Sequence, residues 1–249
     1  MMLCTVILAA GKGTRMNSDL VKVLHPLQGR PLLSYVVEAA RSAGSDDISI
    51  IVGYQAAAVR EQFRSGDIHF IEQRELLGTG HAVLQAHERF VDYRGAVLIL
   101  CGDVPLLQAA TLRSLCERHR KETTAVTVLT TIVTDATGYG RILKGPDGKV
   151  TRIVEERDAT EAEKGIKEIN SGIYCVDSQF LFDALGKINN RNAQREYYLT
   201  DIIAIAHKSG AGVASLIAAD HREVMGINSP QELREAHWYL EKMQGRLPE

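Results

Sequence analysis

A chain of 249 residues with a formal net charge of −2 and 45% apolar residues is globular and holds one large or two small domains. Near-neutral charge without a basic stripe argues against nucleic-acid binding, and no apolar run nears the ~18 residues of a membrane span. The start has no basic n-region, and Lys12 and Arg15 interrupt its apolar run, so a cytoplasmic protein rather than a secreted one is expected. Leu3 to Leu8 reads as a buried strand. It opens into Leu-Ala-Ala-Gly-Lys-Gly-Thr-Arg-Met at 8–16. Gly11 and Gly13 let backbone N–H groups approach a ligand, and Lys12 and Arg15 add cationic donors suited to phosphate. The loop is neither a P-loop, since its second glycine follows the lysine, nor a dinucleotide fingerprint, since Met16 stands where a third glycine belongs.

Lys22, shortly after this loop, either returns to the same phosphates or is a solvated loop lysine. A helix is expected over Leu32 to Ala43, stopping at Gly44, then strand Ile48 to Val52, helix Ala56 to Phe63 and strand Ile68 to Ile71. Gln73 to Ala82 contains Leu77-Gly78-Thr79-Gly80-His81-Ala82 at the start of a helix expected over Gly80 to His87. Its free N–H groups can bind an anion or a base edge, or simply begin a capped helix, and His81 reads as a capping or packing residue. Strand Ala96 to Leu100 ends in Gly102 and Asp103. That puts a carboxylate on the edge that carries the glycine loop, where carboxylate and phosphate oxygens together can hold Mg²⁺, or where the aspartate simply caps the next helix. Helix Gln108 to Arg120 and strand Ala125 to Ile132 follow. The βαβα order predicts a doubly wound, mostly parallel α/β sheet with its ligands at the strands' carboxyl ends.

The second half is less regular. Arg141 to Lys144 and Val150 to Val154 form a hairpin about Gly145-Pro146-Asp147-Gly148. Strand Ile169 to Val176, helices Phe180 to Leu185 and Tyr198 to His207, and strands Val213 to Ala218 and Glu223 to Met225 are expected next. Ser229-Pro230-Gln231-Glu232 is a capping box that starts a tail helix, whose stripe Leu233, Ala236, Leu240 and Met243 reads as ordinary packing. The segments 138–141, 170–172, 196–201 and 226–228, with Glu155, suit a sugar-hydroxyl pocket and equally suit ordinary turns. Cys4, Cys101, Cys116 and Cys175 lack metal or C-x-x-C spacing and are expected to be buried thiols.

Taken in order, LAAGKGTRM (8–16), VKVLH (21–25), LGTGHA (77–82), GDVPL (102–106), TGYGRI (137–142), VEERDAT (154–160), EINSGIY (168–174) and EYYLTD (196–201) resemble a known family. It is the uridyltransferase half of the bacterial bifunctional N-acetylglucosamine-1-phosphate uridyltransferase/glucosamine-1-phosphate acetyltransferases, within the sugar nucleotidyltransferases. The resemblance implies a Rossmann-like nucleotidyltransferase fold with a smaller β-rich sugar-binding lobe. It divides the chain into a domain over 1–228 (nucleotide part to about 133, sugar part from about 134) and a helical arm over 229–249. It also implies that UTP and N-acetylglucosamine 1-phosphate give UDP-N-acetylglucosamine and pyrophosphate with Mg²⁺, without membrane or nucleic-acid partners. Leu8, Ala9, Ala10, Gly11, Gln73, Gly78 and Thr79 are then expected at the nucleotide, together with Lys12, Gly13, Thr14 and Gly102. Arg15 and Lys22 are expected at the departing phosphates, Asp103 and Asn228 at the metal, and Gly140, Glu155, Asn170, Tyr198, Thr200 and Asn228 along the sugar. Val21 stands where the family usually has proline and Cys101 where tyrosine is common, and the family's hexapeptide-repeat acetyltransferase half has no counterpart in these residues. The competing expectations are a transferase for another sugar or alditol phosphate or nucleotide, and a non-catalytic sugar-nucleotide-binding module.

Overall fold

The computed structural model describes residues 3–243. Strand β1 (Leu3–Ala9) is followed by a small hairpin, β2 (Pro26–Leu27) and β3 (Arg30–Pro31), and by helix α1 (Leu32–Ser42). Next come β4 (Ser45–Val52), α2 (Ala56–Gln62), β5 (Ile68–Glu72), α3 (Thr79–Leu84), α4 (His87–Phe90), β6 (Ala96–Cys101) and α5 (Ala109–Glu122). The second half holds β7 (Val126–Ile132), β8 (Arg141–Lys144), β9 (Val150–Val154), α6 (Glu161–Lys164), β10 (Glu168–Asp177) and α7 (Ser178–Leu185). It closes with α8 (Asp201–Ser209), β11 (Val213–Ile217) and α9 (Pro230–Met243).

The elements build one nine-stranded sheet along the path β11-β7-β10-β6-β1-β4-β5, with β8 joined to β10 and β9 to β8. β6, β1, β4 and β5 run parallel, β11 runs parallel to β7, and β10 lies antiparallel between β6 and β7. The sheet is thus doubly wound and mostly parallel, as the βαβα order predicts. Alternate residues of β1 serve opposite faces. Ile7 packs with Val36, Leu98 and Leu112 under α1 and α5, while Val6 packs with Val83, Ile99, Leu181 and Ile202 under α3, α7 and α8. Burial on both faces explains why this strand shows no polar alternation. Because β1 feeds β4 on one side and borders β6 on the other, the carboxyl ends of β1, β4 and β6 open onto a topological switch point. Antiparallel β10 brings its amino end, with the bulge between Asn170 and Ile173, to the same edge.

Several local expectations are corrected. Glu223 to Met225 is not a strand but part of a 3₁₀ turn, His221–Val224, because Asp220 caps it by accepting from the Arg222 N–H. The helix expected over 80–87 breaks between Leu84 and His87. The helix expected from Tyr198 starts only at Asp201, since Tyr198 and Leu199 are tied to Asp158 and Thr79 instead. Among the cysteines, Cys4 and Cys175 are buried, but Cys101 and Cys116 are only partly so. The tail-helix stripe packs as expected at Leu233, Ala236 and Leu240, against Leu27, Leu32, Leu106 and Ile227, whereas Met243 is exposed. Residues 244–249 of the expected arm and residues 1–2 lie outside the described residues. Among the described residues, no helix is long and apolar enough to cross a membrane.

Candidate active site

The segment 10–16 leaves β1 at the sheet edge. Met16 is buried and its N–H donates to the Gly13 carbonyl, closing a short 3₁₀ turn over Thr14–Met16. The N–H groups of residues 11–15 take no partner among the described residues, so this stretch presents a run of free donors. Gly11 has no atom within 4 Å of where a Cβ would stand, which leaves room above the loop. Gly13, in contrast, has φ +68° and would place a Cβ 2.5 Å from Lys22 Cβ. Only glycine lets Lys22 pass beneath the loop. Gly13→Ala should therefore destabilise the protein by about 2 kcal/mol in urea unfolding and displace Lys22. Lys12 does not reach into the loop's open side; its ammonium lies 5.3 Å from the centroid of the Tyr54 ring. Arg15 is exposed and has no protein partner among the described residues.

Lys22 reaches the edge through a different tether. The buried Val21 donates its N–H to Gln55 Oε1 at 2.9 Å, a bond that the family's usual proline could not make. The Lys22 ammonium is ion-paired with Asp103 Oδ2 and donates to Asn228 Oδ1 at 2.9 Å. Asp103 comes from the end of β6 and Asn228 from the turn before α9. That turn is fastened by the Ile227 N–H to the Asp103 carbonyl, 2.9 Å. The capping box of α9 is made with a shift. Ser229 Oγ accepts from the Glu232 N–H, but the Glu232 carboxylate accepts from the Asn228 N–H at 2.6 Å rather than from the cap residue. The helix start thus fixes the backbone of Asn228.

Two oxygens already converge on a cation here, and carboxylate and amide oxygens are the donors a hard divalent ion takes. The residues present fit a divalent cation such as Mg²⁺, which Asp103 and Asn228 would hold. Beside it, burial and the neighbouring Asp103 together push the Cys101 thiol up to about 12, with Lys22 opposing. It therefore stays a neutral thiol, not a nucleophile. Gly102, expected at the nucleotide, is packed: its N–H donates to the Leu8 carbonyl at 2.9 Å, and a Cβ would stand 3.1 Å from that oxygen.

The segment 73–82 lies beyond β5 and is strapped to 197–199. Gly80 N–H donates to Tyr197 O and Tyr197 N–H to Leu77 O, each at 2.8 Å, and Leu199 N–H donates to Thr79 Oγ1 at 3.1 Å. A Cβ on Gly78 would meet Tyr197 O at 2.7 Å. The Thr79 hydroxyl is thus engaged by the protein. The buried Gln73 spends its amide nitrogen on Gly78 O and the His81 ring, and its amide oxygen has no protein partner among the described residues. His81 is a packing residue, as expected.

On the other side of the edge, Gly140, Glu155 and Asn170 come together. Asn170 N–H donates to Gly140 O at 2.9 Å, and a Cβ on Gly140 would stand 3.5 Å from Glu155 Oε2. Asn170 Oδ1 accepts from Gly172 N–H and Tyr174 O–H, leaving its amide nitrogen without a protein partner among the described residues. Tyr198 donates to Asp158 Oδ2 at 3.1 Å, and the buried Thr200 donates to Glu155 Oε1 at 2.9 Å. Burial pushes the Glu155 carboxyl up, with Asp158, Asp201 and Glu196 adding to the rise and the Thr200 bond opposing it. A carboxyl raised in the folded state costs nothing below the unfolded value near ~4.3. As pH climbs past that value the unfolded chain ionises first and folding loses stability. Glu155→Gln, which keeps the Thr200 contact, should therefore raise Tm at about pH 7.5 but not near about pH 4 by calorimetry.

Sequence reasoning did not assign Tyr139 a role. It packs on the buried cluster of Val133, Ala136 and Ile169, and its hydroxyl is pushed up to about 12 by burial, Glu232 and Asp103, with Arg15 opposing. It thus stays a neutral phenol. Its place in a Gly-Tyr-Gly motif was the available signal.

Residues 5–161 match the model of the MobA-like NTP transferase domain. The chain belongs to this family. Similar proteins include the bifunctional protein GlmU of Geobacter metallireducens, 52% identical over 94% of this chain and 49% of that protein. The bifunctional protein GlmU of Desulfotalea psychrophila is 48% identical over 98% of this chain and 72% of that protein. The resemblance read from the motifs is borne out. The chain spans about half the length of most of these curated relatives. In fold, this NTP transferase superposes with a TM-score of 0.81 on a UDP-glucose pyrophosphorylase complexed with UDP-glucose, at 18% identity, covering 98% of this chain and 100% of that one.

Proposed function

We propose that the protein transfers UMP from UTP to N-acetylglucosamine 1-phosphate, giving UDP-N-acetylglucosamine and pyrophosphate in an Mg²⁺-dependent reaction. The observation that carries the chemistry is the meeting, at one sheet edge, of the free N–H run 11–15 with the Lys22, Asp103 and Asn228 cluster. Such a site suits phosphoryl oxygens and a divalent cation together. The choice of sugar is supported by the roughly half-identical GlmU relatives.

In this reading the sugar phosphate oxygen attacks the α-phosphorus of UTP in line, and pyrophosphate leaves without a covalent enzyme intermediate. Two anions must be brought together, so alignment and charge cancellation are the protein's main tasks. Leu8, Ala9, Ala10, Gln73, Gly78 and Thr79 border the base and ribose, and the N–H groups of Gly11, Lys12, Gly13 and Thr14 cradle the phosphates. Arg15 and Lys22 neutralise charge growing on the leaving pyrophosphate. Lys22 does so after moving its ammonium off the two oxygens of Asp103 and Asn228, which would hold Mg²⁺. A bound Mg²⁺ there supplies Lewis-acid neutralisation of the reacting phosphates. Gly140 and Asn170 offer backbone and amide groups to the sugar, and Glu155 offers a carboxyl to its hydroxyls or amide. Tyr198 and Thr200 act from behind, through Asp158 and Glu155. We take residues 1–228 as the transferase unit and 229–249 as an arm whose start secures Asn228, and we place the reaction in the cytoplasm.

The test is pyrophosphate release from a panel of nucleoside triphosphates and sugar 1-phosphates, with and without Mg²⁺. UTP with N-acetylglucosamine 1-phosphate is expected to give the highest kcat/KM. Preference for another pair would reassign the substrates, and no release from any pair would leave a binding module.

A further inference from the structure

Arg141 has a side chain only 2% exposed, the largest among the fully buried ones. A guanidinium cannot discard its charge, so a buried one must be paired and hydrogen-bonded. Arg141 meets that demand only in part. Its terminal nitrogens bond Glu156 Oε2, at 2.7 Å, and the Tyr139 carbonyl, but its Nε is buried without a partner among the described residues. Hydrophobic groups of similar volume generally serve stability as well or better at such a position. Stability alone therefore does not account for an arginine with an unmet donor.

What the arginine does hold is specific. Glu156 Oε2, its ion-pair partner, also accepts the Gly138 N–H at 3.3 Å. The segment Gly138-Tyr139-Gly140 is thus fastened at its first residue through Glu156 and at its second directly through Arg141. The third residue, Gly140, is bonded to Asn170 and faces Glu155. Arg141 also stands opposite Val154 in the β8–β9 ladder and opposite Ile169 in β10. Its backbone neighbours are therefore the residues immediately preceding Glu155 and Asn170.

We propose that Arg141 is a positioning residue of the sugar side. It locks the Gly138–Gly140 backbone against Glu155 and Asn170 at the spacing an amino-sugar phosphate requires, and it does not touch the nucleotide. The inference rests on the transferase reading above.

The test is steady-state kinetics of Arg141→Met, Arg141→Lys and Glu156→Gln in the full chain, with each substrate varied in turn and Tm measured alongside. Arg141→Met should raise KM for the sugar phosphate about tenfold or more while KM for UTP stays within about twofold. Arg141→Lys should recover part of the loss, since it keeps the charge for Glu156. Glu156→Gln should raise the sugar KM a few-fold, and joined to Arg141→Met it should add nothing further, because the two act through one tie. If Arg141→Met does not fold, Glu156→Gln and Arg141→Lys carry the test. An unchanged sugar KM in the folded variants, or equal changes in both KM values, overturns the role given to Arg141. Wild-type protein that uses no sugar phosphate overturns the transferase reading itself.

Discussion

An Asp103→Asn protein is expected to lose about a thousandfold in kcat at ordinary Mg²⁺, equivalent to about 4 kcal/mol of transition-state stabilisation. The side chain keeps its shape and its place after β6, so the loss reports charge. Asp103 provides the only carboxylate in the cluster of Lys22, Asp103 and Asn228, and an amide pair would hold a divalent ion far less firmly. Part of the activity should return at high Mn²⁺ if the geometry survives. Pyrophosphate release measured across a metal titration checks this. Wild-type kcat with a wild-type metal dependence would mean that the metal is held elsewhere.

Arg15→Ala should lower kcat by about two orders of magnitude, about 3 kcal/mol, with KM for UTP changed only a few-fold. Arg15 is exposed and unpaired among the described residues, so nothing in the fold depends on it and Tm should not move. A group that neutralises charge appearing only as pyrophosphate departs acts on kcat more than on ground-state binding. Near-normal kcat with a raised KM would make Arg15 a binding residue.

The parts of the site that could be read in the chain are those that depend on neighbours in sequence. The loop at 8–16 follows its strand directly, and the position of Asp103 at a strand's end follows from the βαβα order. The metal partner could not be reached in that way. Asn228 meets Lys22 only because the turn at 226–228 is tied to the Asp103 backbone and because α9 packs on Leu27, Leu32 and Leu106. Family resemblance supplied Asn228, and the shifted capping box shows how the chain holds it. Thr79 shows a similar dependence on distant sequence: its hydroxyl accepts from the Leu199 N–H across 120 residues and keeps its own O–H to donate. Local propensity also misjudged Glu223 to Met225. The Asp220 side chain, accepting from the Arg222 N–H, caps a 3₁₀ turn over His221–Val224 that takes in Glu223 and Val224 and ends at Met225.

Gly102 and Lys12 carry a related lesson. Both belong to motifs that suggest nucleotide contact, and each also has a packing reason of its own: a Cβ on Gly102 would crowd the Leu8 carbonyl at 3.1 Å, and the Lys12 ammonium lies over Tyr54. Arg141 was visible in its motif but had no assigned purpose, since only the packed lobe shows which carbonyl and which carboxylate it meets.

The most direct test is a crystal structure of the protein with a non-hydrolysable UTP analogue and Mn²⁺, located by its anomalous scattering. The phosphates should lie over the N–H groups of residues 11–15, with manganese bound by Asp103 and Asn228 and the Lys22 ammonium turned toward the phosphates. A manganese peak away from those two oxygens, or a triphosphate that bypasses the loop, would contradict the account.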